Sequence, residues 1–205
     1  MKVLLINGSP NAKGCTYTAL SEVEKTLREN GIETEMLHVG HLAIHGCIGC
    51  RKCKEIGRCV FDDIVNEAAK KFKEADGIVL GSPVYYAGVN GALTTFLDRL
   101  YYSTSFDKRM KVGAAVCSAR RAGTTATLDA LNKFFLIAEM PIASSQYWNM
   151  VHGNTPEEVL QDAEGLQTMR VLGHNMAFLI RAILSEKARS GLPEKEPRVS
   201  TNFIR

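Results

Sequence analysis

Apolar positions along this chain fall into two alternating rhythms. Short unbroken runs, such as Val3-Leu-Leu-Ile6 and Gly77-Ile-Val-Leu-Gly81, have the character of strands covered on both faces. Between them, apolar residues recur at steps of three and four: Ala19, Leu20, Val23 and Leu27, then Ile64, Val65, Ala68 and Phe72, then Leu93, Phe96, Leu97 and Leu100. That spacing lines up one face of a helix. Taken in order, the pattern predicts strands over residues 2–7, 32–39, 77–81, 111–118 and 141–147, alternating with helices. Asn30-Gly31 stops the first helix, and Asp62 or Asp63 caps the next. A helix over about 123–139 precedes the fifth strand. The last helix opens at the capping box Thr155-Pro-Glu-Glu158 and runs to about Ala188, with an interruption expected near Gly173.

Five strand–helix alternations predict a three-layer α/β sandwich around a parallel sheet with right-handed crossovers. Residues 1–190 form this domain, and residues 191–205, with Pro193 and Pro197, form an extended tail whose Phe203-Ile204 is expected against another subunit. In the flavodoxin-like strand order 2-1-3-4-5, the loops after strands one, three and four meet at one sheet edge, where FMN binds in such folds. The first of these loops, Gly8-Ser-Pro-Asn-Ala-Lys-Gly-Cys-Thr16, leads into a helix N-terminus, which favours a phosphate. Ser9, Thr16 and Thr18 add hydroxyls, and the helix terminus is expected to lower the pKa of Cys15. A plain strand-to-helix turn is the simpler alternative. The second loop carries Tyr85 and Tyr86, placed to line a flat aromatic ligand or to pack under the next helix. The third carries Arg120 and Arg121, facing a flavin or simply solvent, and Cys117 is expected as a small buried residue. Neither G-x-x-x-x-G-K-[ST] nor G-x-G-x-x-G is present, which weighs against nucleoside triphosphate hydrolysis and a dinucleotide Rossmann site.

Residues 40–61 fit neither rhythm, and a loop this long calls for a function. Four of the six cysteines lie here, Cys47, Cys50, Cys53 and Cys59, spaced C-x2-C-x2-C-x5-C. Thiolates so close in sequence suit a soft acceptor, an iron–sulfur cluster or zinc. Zinc sites usually separate two C-x2-C pairs by a dozen residues or more, so the compact spacing lies nearer to a ferredoxin run, although it closes with x5 and Val60 rather than x3 and proline. Four unliganded cysteines remain the bland alternative. His41 and His45 flank the motif as ordinary histidines or substitute ligands. The N-terminus lacks a charged region followed by a long apolar one, so a cytoplasmic setting without stable disulfides is expected.

Composition narrows the field further. With 205 residues, 45% of them hydrophobic and 23% charged, the chain can bury a full core. The net charge of +3 is small and its cations are scattered among acids, against nucleic acid as a partner; no apolar run has the length of a membrane span.

The loop sequence at residues 8–16, Gly81-Ser-Pro-Val-Tyr-Tyr-Ala-Gly-Val89 and Leu97-Asp-Arg99 together resemble the NADPH-dependent FMN reductase superfamily. The cysteine stretch, Tyr147-Trp-Asn-Met-Val-His-Gly153 and the closing Thr-Asn-Phe-Ile-Arg resemble its iron–sulfur flavoprotein subfamily. The resemblance implies an FMN phosphate held by Ser9, Asn11, Lys13, Cys15 and Thr16. Pro83, Val84, Tyr85, Tyr86, Ala87 and Gly88, with Ser118, Arg120, Arg121 and Gly123, would line the isoalloxazine. Cys15 departs from the asparagine more common in that loop. Cys47, Cys50, Cys53 and Cys59 would hold a [4Fe–4S] cluster, with ferredoxin as electron donor and oxygen, peroxide or a quinone as acceptor. A homodimer or homotetramer is implied, one subunit's cluster facing another's flavin. Two other functions stay open: an NAD(P)H-dependent FMN, quinone, azo or nitro reductase with an incidental cysteine loop, and a zinc-stapled FMN-binding interaction protein.

Overall fold

A computed structural model describes residues 1–201 and 203; Asn202, Ile204 and Arg205 lie outside the described residues, and with them part of the expected subunit contact of Phe203-Ile204. Five parallel strands form the sheet: β1 (Lys2–Asn7), β2 (Glu33–His38), β3 (Gly77–Tyr85), β5 (Val112–Ala119) and β6 (Met150–His152). Their spatial order is β2-β1-β3-β5-β6, and the two-residue β4 (Gly88–Val89) pairs antiparallel with the end of β3. Counting parallel strands alone, this is the expected order 2-1-3-4-5.

Strand alternation divides the interior into two cores. Leu4, Ile6, Ile78, Leu80, Ala115 and Cys117 point to the face covered by α3 (Ile64–Glu74), α4 (Gly91–Ser103) and α5 (Thr124–Leu136). Val3, Leu5, Val79, Val112, Ala114 and Val116 point to the other, covered by α1 (Cys15–Glu29) and α7 (Ala163–Ser190). Because successive side chains on a strand face opposite ways, continuous apolar runs serve both cores. Each fully buried Leu, Ile or Phe contributes roughly 1.5–3 kcal/mol.

Several boundaries differ from the sequence reading; the third strand, expected over 77–81, runs on to Tyr85. The fifth strand is not residues 141–147: Ile142 makes only an isolated bridge to Gly113, and the strand itself is β6, pairing with residues 117–119. Between them Ser145 turns the chain, its hydroxyl donating to the Tyr147 carbonyl at 2.6 Å and lying 2.7 Å from Asn149 Oδ1. That local bonding competes with the sheet ladder. The capping box closes only a single turn, α6 (Pro156–Val159), and Asp162 caps α7 by accepting from the Gly165 N–H at 2.9 Å. No break occurs at Gly173, where the missing side chain lets α7 approach Thr26 of α1. The cysteine loop also contains one short helix, α2 (Cys53–Ile56).

Candidate functional site

The loop after β1 is built around a buried asparagine. Asn7 ends β1; its side-chain oxygen accepts from the Ser9 N–H at 3.0 Å, and its amide donates to the Ala12 carbonyl at 3.2 Å. Ser9 Oγ then accepts from the Asn11 N–H at 3.1 Å. His38 Nε2 lies 2.7 Å from the Ser9 carbonyl, and Gly40 passes so close that a β-carbon would overlap the Gly8 carbonyl. The loop is thus fixed before any ligand arrives. At its end, α1 starts at Gly14 with no side-chain cap and no acidic residue in its first turn. Helices α3, α4, α6 and α7 are all capped by their own Asp, Asn or Thr. An uncapped N-terminus leaves backbone donors and a positive dipole end for an anion.

Thr16 and Ser118 join this loop to the end of β5 through hydroxyls 2.8 Å apart, both residues being buried. The Thr18 hydroxyl is engaged with the Gly14 carbonyl. Cys15 turns its thiol to the Gly153 carbonyl at 3.6 Å, so its contribution to the α1 terminus is its backbone N–H. Burial raises the Cys15 pKa, contrary to the lowering expected from the helix terminus: the side chain packs against the α1–α7 core. Asn11 and Lys13 are exposed at the rim.

β3 continues past the sheet into a hairpin. Ser82 Oγ accepts from the Asn90 N–H at 3.0 Å and donates to the Pro83 carbonyl at 2.8 Å, holding Pro83 and Val84 at its base. Tyr86 and Ala87 have φ of 49° and 58°, a conformation uncommon for side-chain-bearing residues. It turns Tyr86 fully into solvent, with Tyr85 half-exposed beside it. The loop after β5 meets this hairpin at Gly123, whose φ is 95° and whose β-carbon would lie 2.7 Å from Ala87 Cα. Arg120 and Arg121 are exposed on that loop, and the Arg121 carbonyl lies 3.2 Å from His152 Nε2. The loops bearing Ser9 to Thr16, Pro83 to Gly88 and Ser118 to Gly123 are thereby linked at the C-terminal edge of the sheet. Cys117 lies below that edge, buried as expected, its pKa pushed up to about 12 by burial.

The second constellation lies on the α3–α4 side. Cys47, Cys50, Cys53 and Cys59 all line one cavity, with Ile48, Val60, Phe61 and Tyr102. Gly49, Arg51 and Gly57, with φ of 64°, 60° and 72°, bend the backbone around it. Asn66 of α3 clamps Cys59 by accepting from its N–H and donating to its carbonyl, at 3.0 and 3.1 Å. The sulfurs do not converge: among the described residues, no group of three or more His, Cys, Asp or Glu is arranged to hold a metal ion. The donor set nevertheless suits a soft cluster, and the cavity wall supplies compensating charge.

That charge is Arg99, which sequence reasoning left without a role. It is 1% exposed and donates to six acceptor contacts: Cys59 Sγ from Nε at 3.3 Å and Nη2 at 3.2 Å, Asp63 Oδ2 at 2.6 Å and Oδ1 at 2.9 Å, and the His45 and Phe61 carbonyls, each at 3.2 Å. Burial disfavours the charged guanidinium, but bonds to Asp63 and Cys59 outweigh it and raise its pKa. One turn on, Ser103 lines the same cavity with a buried hydroxyl that has no partner among the described residues. A signal was present in sequence: Arg99 follows Phe96 at a three-residue step, where a helix turns inward, and a buried cation needs a partner.

Fold and sheet edge together define a flavodoxin-like protein with an anion-accepting loop beside an aromatic hairpin. A profile of the NADPH-dependent FMN reductase family matches residues 1–155. The chain belongs to that family, within its iron–sulfur flavoprotein subfamily, and is an FMN-binding, flavin-dependent oxidoreductase. An iron-sulfur flavoprotein of Methanocaldococcus jannaschii is 39% identical over 191 residues, covering 89% of this chain and 99% of its own. A second from that organism is 30% identical over 185 residues, covering 83% and 92%. Among solved structures, RosB with a bound 8-demethyl-8-formylriboflavin-5'-phosphate intermediate superposes with a TM-score of 0.70 at 16% identity, covering all of this chain and 94% of its own. An archaeal flavodoxin gives 0.61 at 15% identity, covering 88% and 99%; both likenesses are of fold.

Proposed function

We propose that this oxidoreductase passes single electrons between a [4Fe–4S] cluster and FMN, linking a one-electron donor such as ferredoxin to a small oxidant. The observation that carries this reading is that all four loop cysteines line one cavity, beside a buried guanidinium bonded to Cys59. Cys47, Cys50, Cys53 and Cys59 hold the cluster. The α1 N-terminus, Ser9, Asn11, Lys13, the Cys15 N–H and Thr16 bind the FMN phosphate. The residues from Pro83 to Gly88, with Ser118, Arg120, Arg121 and Gly123, form the walls for the ring. When bound, the two groups supply the electron chemistry, FMN in one- or two-electron steps and the cluster in one. The chain's own residues bind and orient them: Asn7 and His38 hold the phosphate loop, and Gly123 seats the β5 loop against the hairpin. A homodimer or homotetramer brings the cluster of one subunit to the flavin of another.

The test is iron, sulfide and flavin analysis of anaerobically purified protein. About four iron, about four sulfide and roughly one FMN per chain support the reading. Protein that holds FMN but takes up no iron on anaerobic reconstitution overturns it. The second reading, an NAD(P)H-dependent FMN, quinone, azo or nitro reductase without a working cluster, is favoured by the family match over residues 1–155. It is distinguished by flavin bleaching with NADPH and none with reduced ferredoxin. Zinc in place of iron, with FMN that no donor reduces, would point to the interaction protein.

A further inference from the structure

The pair of buried Arg99 and partly exposed Asp63 has a geometry that a structural staple does not need. A guanidinium tying the ends of a loop is satisfied by carbonyls and a carboxylate, and Arg99 has those in His45, Phe61 and Asp63. Two of its nitrogens are instead directed at one sulfur, Cys59 Sγ, at 3.2 and 3.3 Å. Ser103, one helical turn along α4, adds an unpartnered buried hydroxyl to the same wall. Donors and positive charge beside a thiolate ligand stabilise the more negative state of a cluster, whereas a carboxylate there destabilises it. Asp63 sits where it offsets most of the arginine's charge while leaving its N–H groups on the sulfur.

We infer that Arg99 and Asp63 form a potential-setting pair for the cluster ligand Cys59, the arginine raising the one-electron reduction potential and the aspartate lowering it. This rests on the cluster reading above. The couple concerned gains one electron from an external reductant, with no bond made or broken and no proton taken up. Arg99 is a positioning residue: it acts through Cys59, and its partner is chosen so that the two substitutions pull in opposite directions. A role confined to packing gives no such opposition, since loss of either partner would simply loosen the loop.

The experiment is potentiometry of reconstituted full-length protein followed by EPR of the reduced cluster, with dithionite as reductant, alongside iron analysis. Arg99→Gln removes the cation and exposes Cys59 to the Asp63 carboxylate; the potential falls, by at least a tenfold change in the equilibrium, which is about 59 mV for one electron. Asp63→Asn keeps the N-cap oxygen that accepts from the Val65 N–H, so α3 stays capped, and the potential rises. Arg99→Lys keeps the charge without the planar fork and gives an intermediate value. Should Arg99→Gln fail to retain the cluster, Asp63→Asn and Arg99→Lys decide the matter. Potentials that do not move, or that move the same way in Arg99→Gln and Asp63→Asn, overturn the inference while leaving the cluster reading intact. Wild-type protein that holds no cluster overturns both.

Discussion

At the residue scale, the surroundings of each cysteine decide its chemistry more than its spacing does. Cys47 and Cys50 are exposed, whereas Cys117 is buried with its thiol pKa raised to about 12. In metal-free protein, iodoacetamide should modify Cys47 and Cys50 readily and Cys117 only after denaturation, as read by peptide mass mapping. Gly123 supports a second prediction. At φ 95° a β-carbon is strained and would press on Ala87, so Gly123→Ala should cost about 1–3 kcal/mol in a urea melt and weaken flavin binding. The clustering of four cysteines was legible because they lie at short spacing in the sequence. The inward position of Arg99 was marked by its step from Phe96, but its role was not, because that depends on Asp63 and Cys59, which lie 36 and 40 residues away in sequence. The fate of the Cys15 thiol was hidden for the same reason, since Gly153 lies 138 residues away.

At the scale of elements, central strands were read well because burial on both faces leaves an unbroken apolar run. The edge strand β6 was harder, whereas β2 was read to within a residue at each end. β6 is three residues long, and a serine turn before it mimics nothing in the hydrophobic pattern. β2 is half-exposed along most of its length and is held partly by charge. Glu35 sits between Lys2 of β1, at 2.8 Å, and Lys71 of α3, at 2.5 Å. Hydrogen bonds from Lys2 and then Lys71 hold its carboxyl below the usual glutamate pKa. A depressed folded pKa contributes stability that is full above the ordinary glutamate range and is lost as pH falls through the folded value. The difference in urea midpoint between wild type and Glu35→Gln should therefore be largest near neutrality and vanish in acid.

At the scale of the whole molecule, the sheet order was readable because alternation of strands and helices admits few topologies. The consequence is that three loops far apart in sequence share one edge, and the loop proposed for the phosphate is held in shape by the chain's own hydrogen bonds. FMN should stabilise the apoprotein by RT ln(1 + [L]/Kd), about 2.7 kcal/mol at a hundred times the dissociation constant, and raise its melting temperature accordingly. Riboflavin, which has no phosphate for the uncapped α1 terminus, should give a much smaller shift at equal concentration, as measured by calorimetry. Among the described residues, no helix is long and apolar enough to cross a membrane.

Because His45 and Phe61 meet at the same guanidinium, and their rings stack 4.4 Å apart, the cysteine segment begins and ends at nearly one place. Topologically it is a cassette: its contents can be lengthened, shortened or exchanged while the junction stays closed. An FMN scaffold with a matching arginine–aspartate junction would be a natural recipient for such a graft.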